Sequence, residues 1–236
     1  MKPSINNVPR RAIVLAAGRG KRLRPFTDKT PKPLLPIDGR PTLDFILQSL
    51  TLAGVEEVAF VIHHLGDQIR EYIGDGSQWN IHPSFFEQEE MLGTGHAVKT
   101  AVSFLTEPAY LLAADYILPL HFIERLRNKF IEQKSDMAVS LKNLSEEEMR
   151  SRSSVRFDSK GLITEIVEKP KDGEAPSHVG ASLIYIVHPH LTKFIENLSI
   201  TGRGEYEIQA GINIMLAQGY TMCGLVEPAP SEWEPH

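Results

Sequence analysis

The sequence RAIVLAAGRGKRLRPFT at residues 11–27 carries the strongest structural signal in the chain, and Pro31-Lys32-Pro33 follows it closely. Residues 12–17 are small and apolar, which is typical of a buried strand. The run ends in Gly18-Arg19-Gly20, where glycines allow a tight turn and present open backbone N–H groups. Four basic side chains crowd this turn: Arg19, Lys21, Arg22 and Arg24. N–H groups and clustered cations in one loop predict an anion site, and a phosphate chain is the biological anion that fits it best.

The two prolines around Lys32 are expected to hold that lysine in an extended, pre-set conformation, so that its ammonium group can be aimed. Two well-known phosphate motifs do not match this stretch. The dinucleotide fingerprint requires a third glycine where Leu23 stands, and the P-loop requires Ser or Thr where Arg22 stands. The sequence therefore predicts a phosphate loop of another kind, and the alternative is a solvated basic turn after an edge strand.

Composition limits the class of protein. The chain has 236 residues, 42% of them hydrophobic, which suits one large α/β domain, and its formal net charge is −5. That charge argues against a broad nucleic-acid surface and favours local basic patches. The single cysteine, Cys223, excludes an internal disulfide, and neither an apolar signal nor a membrane-length run is present. We expect a cytoplasmic protein with a single domain over residues 1–236, a flexible tail at residues 1–10 and no membrane partner.

Strand and helix signals alternate through the first 141 residues. Apolar runs near residues 58–62, 85–86, 110–114 and 137–141 predict strands, and helical spacing separates them. This pattern predicts an α/β, Rossmann-like fold with a mostly parallel sheet and helices on both faces. Ligands of such sheets bind at the carboxyl ends of the strands. Because Gly18, Gly93 and Asp115 each follow a predicted strand, we expect them to line one crevice.

From Ser153 the pattern changes to a predicted hairpin, with strands at 155–157 and 163–167 and a turn at Asp158-Ser159-Lys160-Gly161. Glu168-Lys169-Pro170 follows the hairpin. A strand at 182–187, helices near 191–197 and 207–218, and a strand at 220–225 complete the prediction. This second part is expected to be smaller and of mixed strand direction.

Three polar features point to chemistry, each with an ordinary alternative. Asp115 at a strand end is a candidate Mg²⁺ ligand beside a triphosphate, or else a turn or N-cap residue. Gln88 with Gly93 offers an amide and open backbone to a flat nucleobase, or forms an ordinary loop. Glu168-Lys169 is a charged pair at a strand end, and such pairs are usually solvated.

Six motifs together resemble the sugar-1-phosphate nucleotidylyltransferase family. They are LAAGxGxRLxPxT from Leu15, PKPLLP from Pro31, LGTGHA from Leu92, the strand ending in Asp115, EKP from Glu168 and GEYEI from Gly204. The resemblance implies binding of a nucleoside triphosphate by Ala16, Ala17, Gly18, Gly20, Lys21, Arg22, Gln88, Gly93 and Thr94. It implies catalytic roles for Arg22, Lys32 and Asp115, sugar binding by Glu168, and sugar-phosphate binding by Lys169.

The resemblance also implies Mg²⁺ as cofactor, held by Asp115 and by Glu234, which follows Trp233 as the family's second metal ligand follows a tryptophan. The implied partners are a nucleoside triphosphate and a sugar 1-phosphate, with UTP or dTTP and glucose 1-phosphate as first choices. A sugar phosphate is already an anionic nucleophile, so no general base is required. A homo-oligomer is left open.

This chain differs from the family pattern mainly in its second half. Ala113-Ala114 replaces Asn-Gly, Ser153 replaces a glycine, Ala181-Ser182-Leu183 replaces Asn-Ala-Gly, and Gln209-Ala210 replaces Thr-Asp. Two alternatives follow: a cytidylyltransferase that acts on a non-sugar phosphate such as phosphocholine, and a non-catalytic regulatory subunit that binds NDP-sugars. Release of pyrophosphate from mixed substrates distinguishes catalysis from binding alone.

Overall fold

The computed structural model describes residues 8–229 of the chain. The apolar run of the opening motif forms strand β1, Arg11–Leu15, whose central residues Ala12, Ile13 and Val14 are wholly buried. The strand is shorter than predicted, although the Ala16 N–H still donates to the Val61 carbonyl at 2.8 Å. Parallel strands flank β1 on both sides, which is why nearly every side chain in it is apolar.

The remaining strands are β2 (Pro36–Ile37), β3 (Arg40–Pro41), β4 (Glu57–Ile62), β5 (His82–Glu87), β6 (Ala109–Ala113), β7 (Met137–Asn143), β8 (Ser153–Phe157), β9 (Ile163–Glu168), β10 (Val179–Val187) and β11 (Met222–Val226). The helices are α1 (Thr42–Leu52), α2 (Gly66–Ile73), α3 (Thr94–Thr100), α4 (Phe122–Glu132), α5 (Glu146–Met149), α6 (Leu191–Ile195) and α7 (Ile208–Ala217).

Seven strands form the central sheet in the order β11-β7-β10-β6-β1-β4-β5. Strand β10 is antiparallel to both of its neighbours, and every other pairing in this sheet is parallel. The mostly parallel α/β sheet expected from the sequence is therefore confirmed. The register between β10 and β7 shifts between Ala181 and Tyr185, which marks a bulge.

Helices cover both faces of the sheet, as predicted. Helices α1, α2 and α4 supply apolar side chains to one buried cluster, and α3, α6 and α7 supply a second. The predicted hairpin is present as β8 and β9, a separate two-stranded sheet. Its strand β9 is fixed to α7 by the Asn213 side chain, which accepts from Ile166 N at 2.9 Å and donates to Ile166 O at 2.8 Å.

The expectation of an extended Lys32 is wrong. Residues Lys32–Leu34 form a single 3₁₀ turn, in which Leu34 N–H donates to the Pro31 carbonyl at 2.8 Å. Pro33 fits this turn because its missing N–H lies in the first turn, where no intrahelical partner is required. Rigidity comes from the turn and its prolines, not from an extended chain.

Two further expectations concern the ends of the chain and membranes. Residues 1–7 of the expected tail lie outside the described residues, while the Arg10 carbonyl accepts from the Glu56 N–H at 2.8 Å. Within residues 8–229, none of the helices combines the length and the apolar composition that a membrane span needs.

The short helix α5 was not predicted from the sequence, and it begins at a capping box formed by Ser145 and Glu148.

Candidate active site

A cavity of about 350 Å³ opens at the carboxyl ends of the parallel strands. Gly18 follows β1, Gln88 follows β5 and Asp115 follows β6. Because these strands are parallel in one sheet, the three residues lie at the same edge of that sheet. The sequence-predicted residues that line this cavity are Ala16, Ala17, Gly18, Lys32, Gln88, Gly93, Thr94 and Asp115. The predicted residues Gly20, Lys21, Arg22, Glu168 and Lys169 are not part of its wall.

The glycine loop is fitted against Lys32. Gly20 has φ +60°, in the left-handed region, and its carbonyl accepts from the Thr27 hydroxyl at 3.0 Å. A Cβ atom at Gly20 would lie 2.9 Å from Thr27 Cγ2 and 3.2 Å from Lys32 Cβ. Glycine is therefore required here both for the backbone angle and for the close approach of the loop to Lys32.

The basic side chains of the loop are exposed, and most of them are unpaired. Arg24 forms an ion pair with Asp28 at 3.2 Å. Arg19, Lys21 and Arg22 form no ion pair or side-chain hydrogen bond with any residue between 8 and 229. Three cations therefore stand on the loop beside the cavity without a protein counter-charge, which suits an anionic ligand.

Lys32 and Asp115 form an ion pair in the cavity wall, and about one third of each side chain is exposed. The turn that carries Lys32 is anchored from behind, because the Thr42 hydroxyl donates to the Pro33 carbonyl at 3.0 Å. A cation and a carboxylate are thus held together where a ligand in the cavity meets both.

Gln88 is buried, with 3% of its surface exposed, and it closes another part of the cavity. Its backbone N–H donates to the Ile62 carbonyl at 2.8 Å, which extends the β4–β5 ladder by one residue. Its side-chain Nε2 donates to Nδ1 of His96 at 2.9 Å. The amide is therefore held in place before any ligand arrives.

The motifs at Leu92 and Gly204 are held together by backbone hydrogen bonds. Tyr206 N–H donates to the Leu92 carbonyl, and Gly95 N–H donates to the Tyr206 carbonyl, each at 2.7 Å. Gly93 has φ +102°, and a Cβ atom there would lie 2.6 Å from the Tyr206 carbonyl oxygen. Gly93 is thus required for contact between two chain segments, besides any role in base binding.

Glu168 lies away from the cavity wall. Its carboxylate accepts from Gln209 Nε2 at 3.3 Å and faces the Arg203 guanidinium at 4.0 Å. Burial raises the pKa of Glu168, and the charges of Arg203 and Lys169 oppose that rise. Lys169 is exposed and has φ +46°, and its N–H donates to the Arg152 carbonyl at 3.1 Å.

Residues 201–207 form a loop that contacts Glu168 and also reaches the cavity. Arg203 Nε donates to Glu207 at 2.8 Å, and Glu205, two residues from Arg203, lines the cavity. Sequence reasoning recognised this motif but predicted no role for Arg203 or Glu205. Met91, in a loop, and Leu183, on β10, also line the cavity and were not predicted, since apolar residues carry no chemical signal in a sequence.

Glu227 is another residue that sequence reasoning missed. Its carboxylate accepts from the hydroxyls of Ser140 on β7 and Ser182 on β10, the latter at 2.7 Å. It thus joins three strands at the bulge of β10. Burial raises the pKa of the neighbouring Tyr116, and the charges of Asp115 and Glu227 add to the rise. The Tyr116 hydroxyl accepts from the Leu183 N–H at 3.2 Å, and Leu183 lines the cavity.

Several residues that depart from the family pattern contact one another. The Ser153 hydroxyl donates to the Ala181 carbonyl at 2.8 Å and accepts from the Ala181 N–H at 3.2 Å. Gln209 donates to Glu168, as described above, and Ala113 and Ala114 line the cavity next to Asp115. The differences therefore cluster around Glu168, β10 and Asp115.

The metal ligands were predicted as Asp115 and Glu234, and Glu234 lies outside the described residues. Over residues 8–229, no group of three or more His, Cys, Asp or Glu side chains has an arrangement suited to a metal ion. Mg²⁺ needs only one or two carboxylates when substrate phosphates and water complete its octahedron. The cavity-facing carboxylate of Asp115 fits that requirement.

Comparison with known proteins gives one family and one fold. The sequence profile of the nucleotidyl transferase family matches residues 11–233. The chain is similar to the low-salt glycan biosynthesis nucleotidyltransferase Agl11 of Haloferax volcanii, with 28% identity over 90% of this chain and 58% of that protein. It is 32% identical to the bifunctional protein GlmU of Methanococcus maripaludis over 88% of this chain and 47% of that protein. The chain thus spans about half the length of these curated relatives.

A shorter relative is the protein named UTP–glucose-1-phosphate uridylyltransferase AglF of Haloferax volcanii, with 28% identity over 89% of this chain and 85% of that protein. Among solved structures, UDP-glucose pyrophosphorylase complexed with UDP-glucose superposes with a TM-score of 0.82. That match has 20% identity and covers 93% of this chain and 92% of the other. At this identity the structural likeness establishes the fold.

Proposed function

The chain belongs to the nucleotidyl transferase family, and from this premise we propose that it transfers a nucleotidyl group from a nucleoside triphosphate to a sugar 1-phosphate and releases pyrophosphate. The observation that carries the proposal is the Lys32–Asp115 pair in a cavity flanked by three unpaired cations. The names of AglF and of a glucose-1-phosphate thymidylyltransferase of Streptomyces griseus support UTP or dTTP as the nucleotide and glucose 1-phosphate as the acceptor.

The reaction joins two anions, so the protein has to offset their repulsion and align them. A phosphate oxygen of the sugar phosphate attacks the α-phosphorus of the triphosphate, and the bond from that phosphorus to pyrophosphate breaks. The nucleophile is already ionised, so the reaction needs no side chain to remove a proton. Positioning and charge neutralisation are the work that remains, and they require cations on stiff segments.

Each predicted residue has a place in this scheme. Open backbone at Ala16, Ala17 and Gly18 borders the triphosphate, and Gly20 keeps Lys21 and Arg22 against it. Lys32 reaches the reacting phosphates from its anchored turn. Gln88, Gly93 and Thr94 enclose the base at the other part of the cavity.

Magnesium is part of the proposal, since Asp115 presents a carboxylate to the place where the phosphates would lie. When bound, the ion supplies positive charge to phosphate oxygens and orients them. Asp115 also pairs with Lys32, so it keeps the lysine head at the reaction site until phosphates replace the carboxylate as its partner. Glu234 stays a prediction for the second carboxylate.

The sugar is proposed to enter from the side of Glu168. That carboxylate, at the end of β9, accepts from Gln209, and the Glu168 carbonyl accepts from Arg203, which lies two residues before Glu205 of the cavity wall. Sugar hydroxyls are donors that such a carboxylate can accept, and Lys169 beside it provides a charge for the sugar phosphate.

The test is pyrophosphate release from a panel of UTP, dTTP, CTP, ATP and GTP combined with sugar 1-phosphates and phosphocholine. We expect release with a sugar 1-phosphate and its loss in Lys32→Ala. Release with CTP and phosphocholine would support the cytidylyltransferase alternative. Tight NDP-sugar binding without release under any combination would instead support the regulatory subunit, and would overturn the proposed reaction.

A further inference from the structure

The amide of Gln88 has a fixed orientation. Its nitrogen Nε2 lies 2.9 Å from Nδ1 of His96, and an amide nitrogen can only donate a hydrogen bond. His96 Nδ1 must therefore accept, which places the ring proton on Nε2. On another side, His96 lines a hollow together with Glu87, Glu89 and Glu90.

The carbonyl oxygen of the same amide is left without a partner. Gln88 is 3% exposed and lines the cavity, and within residues 8–229 its Oε1 accepts no hydrogen bond. This oxygen is not among the fully buried side-chain atoms that lack a hydrogen-bond partner, so it is open to the cavity, where a ligand can donate to it. One of the two amide hydrogens is also free, because His96 uses only one.

The bases differ in how they meet such an amide. Uracil and thymine present a ring N–H donor beside a carbonyl acceptor. Cytosine presents the reverse order, a ring nitrogen acceptor beside an amino donor. An amide that is free to rotate by 180° can match either edge, whereas an amide held at its nitrogen end can match only one.

We propose that His96 is a positioning residue that locks the Gln88 carboxamide, so that the site accepts uracil or thymine and rejects cytosine. The inference rests on the proposed function, in which Gln88 lies against the base. Guanine also carries a ring N–H donor, and its size, not the amide, would have to exclude it.

Four variants test the hydrogen bond between Gln88 Nε2 and His96 Nδ1. His96→Ala removes the acceptor and frees the amide. In His96→Asp a carboxylate oxygen, attached to Cγ as Nδ1 is, restores an acceptor that cannot donate. Gln88→Ala removes the carboxamide that is proposed to contact the base. His82→Ala, an exposed histidine at the start of the same strand β5, is the matched control.

The experiment measures kcat/KM for UTP and CTP with these variants. We expect the wild-type preference for UTP to fall by roughly tenfold to a hundredfold in His96→Ala and Gln88→Ala, in line with the discrimination of a bidentate base contact. His96→Asp should keep the preference, and His82→Ala should match wild type. A merely structural role for His96 would instead make Ala and Asp fail alike, with an unchanged ratio of UTP to CTP.

Two further measurements separate this inference from the proposed reaction. Nitrogen-15 NMR of the imidazole in the protein without nucleotide should show the Nε2–H tautomer for His96, and an Nδ1–H tautomer would overturn the proposal. Calorimetric titration with UTP and CTP needs no turnover. Suppose that the wild type releases no pyrophosphate but binds UTP better than CTP, and that this preference depends on His96. The proposed reaction is then refuted, while the positioning of the Gln88 carboxamide by His96 is supported.

Discussion

Lys32 and Asp115, 83 positions apart in the chain, form an ion pair in the wall of the cavity. The lysine is carried by a proline-flanked turn and the aspartate by the end of β6, so two independently rigid segments meet there. Neither side chain is deeply buried, and an exposed pair of this kind contributes little to stability. The pair is therefore better explained by charge placement for a ligand than by folding.

The first prediction concerns the cations. Lys32→Ala and Arg22→Ala should each lower turnover by roughly a hundredfold or more, because each removes a preorganised charge from the transition state. Pyrophosphate release under saturating substrates measures the effect. Lys160→Ala and Arg125→Ala, at exposed positions outside the cavity wall, are the controls. Turnover near wild type in both site variants, with folding intact, would refute the charge assignment.

The second prediction concerns the metal. Asp115→Asn should raise the Mg²⁺ concentration needed for half-maximal turnover and lower the maximum, since an amide is a weaker ligand than a carboxylate. A chain ended after Pro230 tests Glu234 in the same titration. If that shortened chain keeps activity and Mg²⁺ dependence, Glu234 has no role. If Asp115→Asn keeps both as well, the metal assignment itself is wrong.

Local signals explain what could be predicted from the sequence. The apolar runs at 58–62 and 137–141 form strands β4 and β7 as predicted, and Gly18, Gly93 and Asp115 do line one cavity. Periodicity could not give the direction of β10, because strand direction depends on long-range packing and the alternation of side chains is the same either way.

The hydrogen-bond partners of polar side chains could not be predicted from the sequence either. The spacing of Gln88 and His96 does not predict the hydrogen bond between the amide and the imidazole nitrogen. The residues around Glu227 likewise do not predict Ser140 and Ser182 as its donors. Such contacts depend on rotamers and on strand order. The 3₁₀ turn at Lys32 was missed for a related reason, since the preference of a residue before proline is a tendency that neighbouring hydrogen bonds override.

The third prediction tests the glycine at the junction of two motifs. Gly93→Ala should destabilise the fold by about 1–3 kcal/mol, because the new methyl group meets the Tyr206 carbonyl at 2.6 Å and the backbone is in a left-handed conformation. Gly202→Ala is the matched control, since no atom lies within 4 Å of a Cβ built there. Urea unfolding of both variants measures the difference, and equal stabilities would contradict the contact.

The fourth prediction concerns Glu227. Glu227→Ala leaves the buried hydroxyls of Ser140 and Ser182 without an acceptor, which should cost about 1–3 kcal/mol of unfolding free energy. Glu227→Gln keeps an acceptor oxygen and should cost less. Glu147→Ala, on the exposed side of the short helix α5, should be neutral.

A second comparison isolates the hydroxyls. Replacing both serines by alanine in the Glu227→Ala background should restore part of the loss, because the unpaired donors are then absent. If the triple variant is less stable than Glu227→Ala alone by the usual cost of two buried substitutions, the carboxylate is not the partner that satisfies these hydroxyls.

The last prediction concerns pH and His188, which is 3% exposed at the end of β10. Burial, and next the nearby His190, lower its pKa to about 4, while Asp136 acts in the opposite direction. Its Nδ1 accepts from His190 N–H at 3.1 Å, and its Nε2 is buried without a hydrogen-bond partner in the described part of the chain. The ring is therefore held neutral in the folded protein.

The sign of the effect follows from proton uptake. Between pH 6.5 and about 4 the unfolded chain binds a proton at this histidine and the folded chain does not, so stability falls as the pH falls through that window. The slope from this group is at most about 1.4 kcal/mol per pH unit. His188→Gln should flatten the stability profile between those limits, whatever it does to stability at pH 7, because the glutamine has no proton to gain. Equal slopes in wild type and His188→Gln would show that His188 titrates in the folded protein as it does in the unfolded chain.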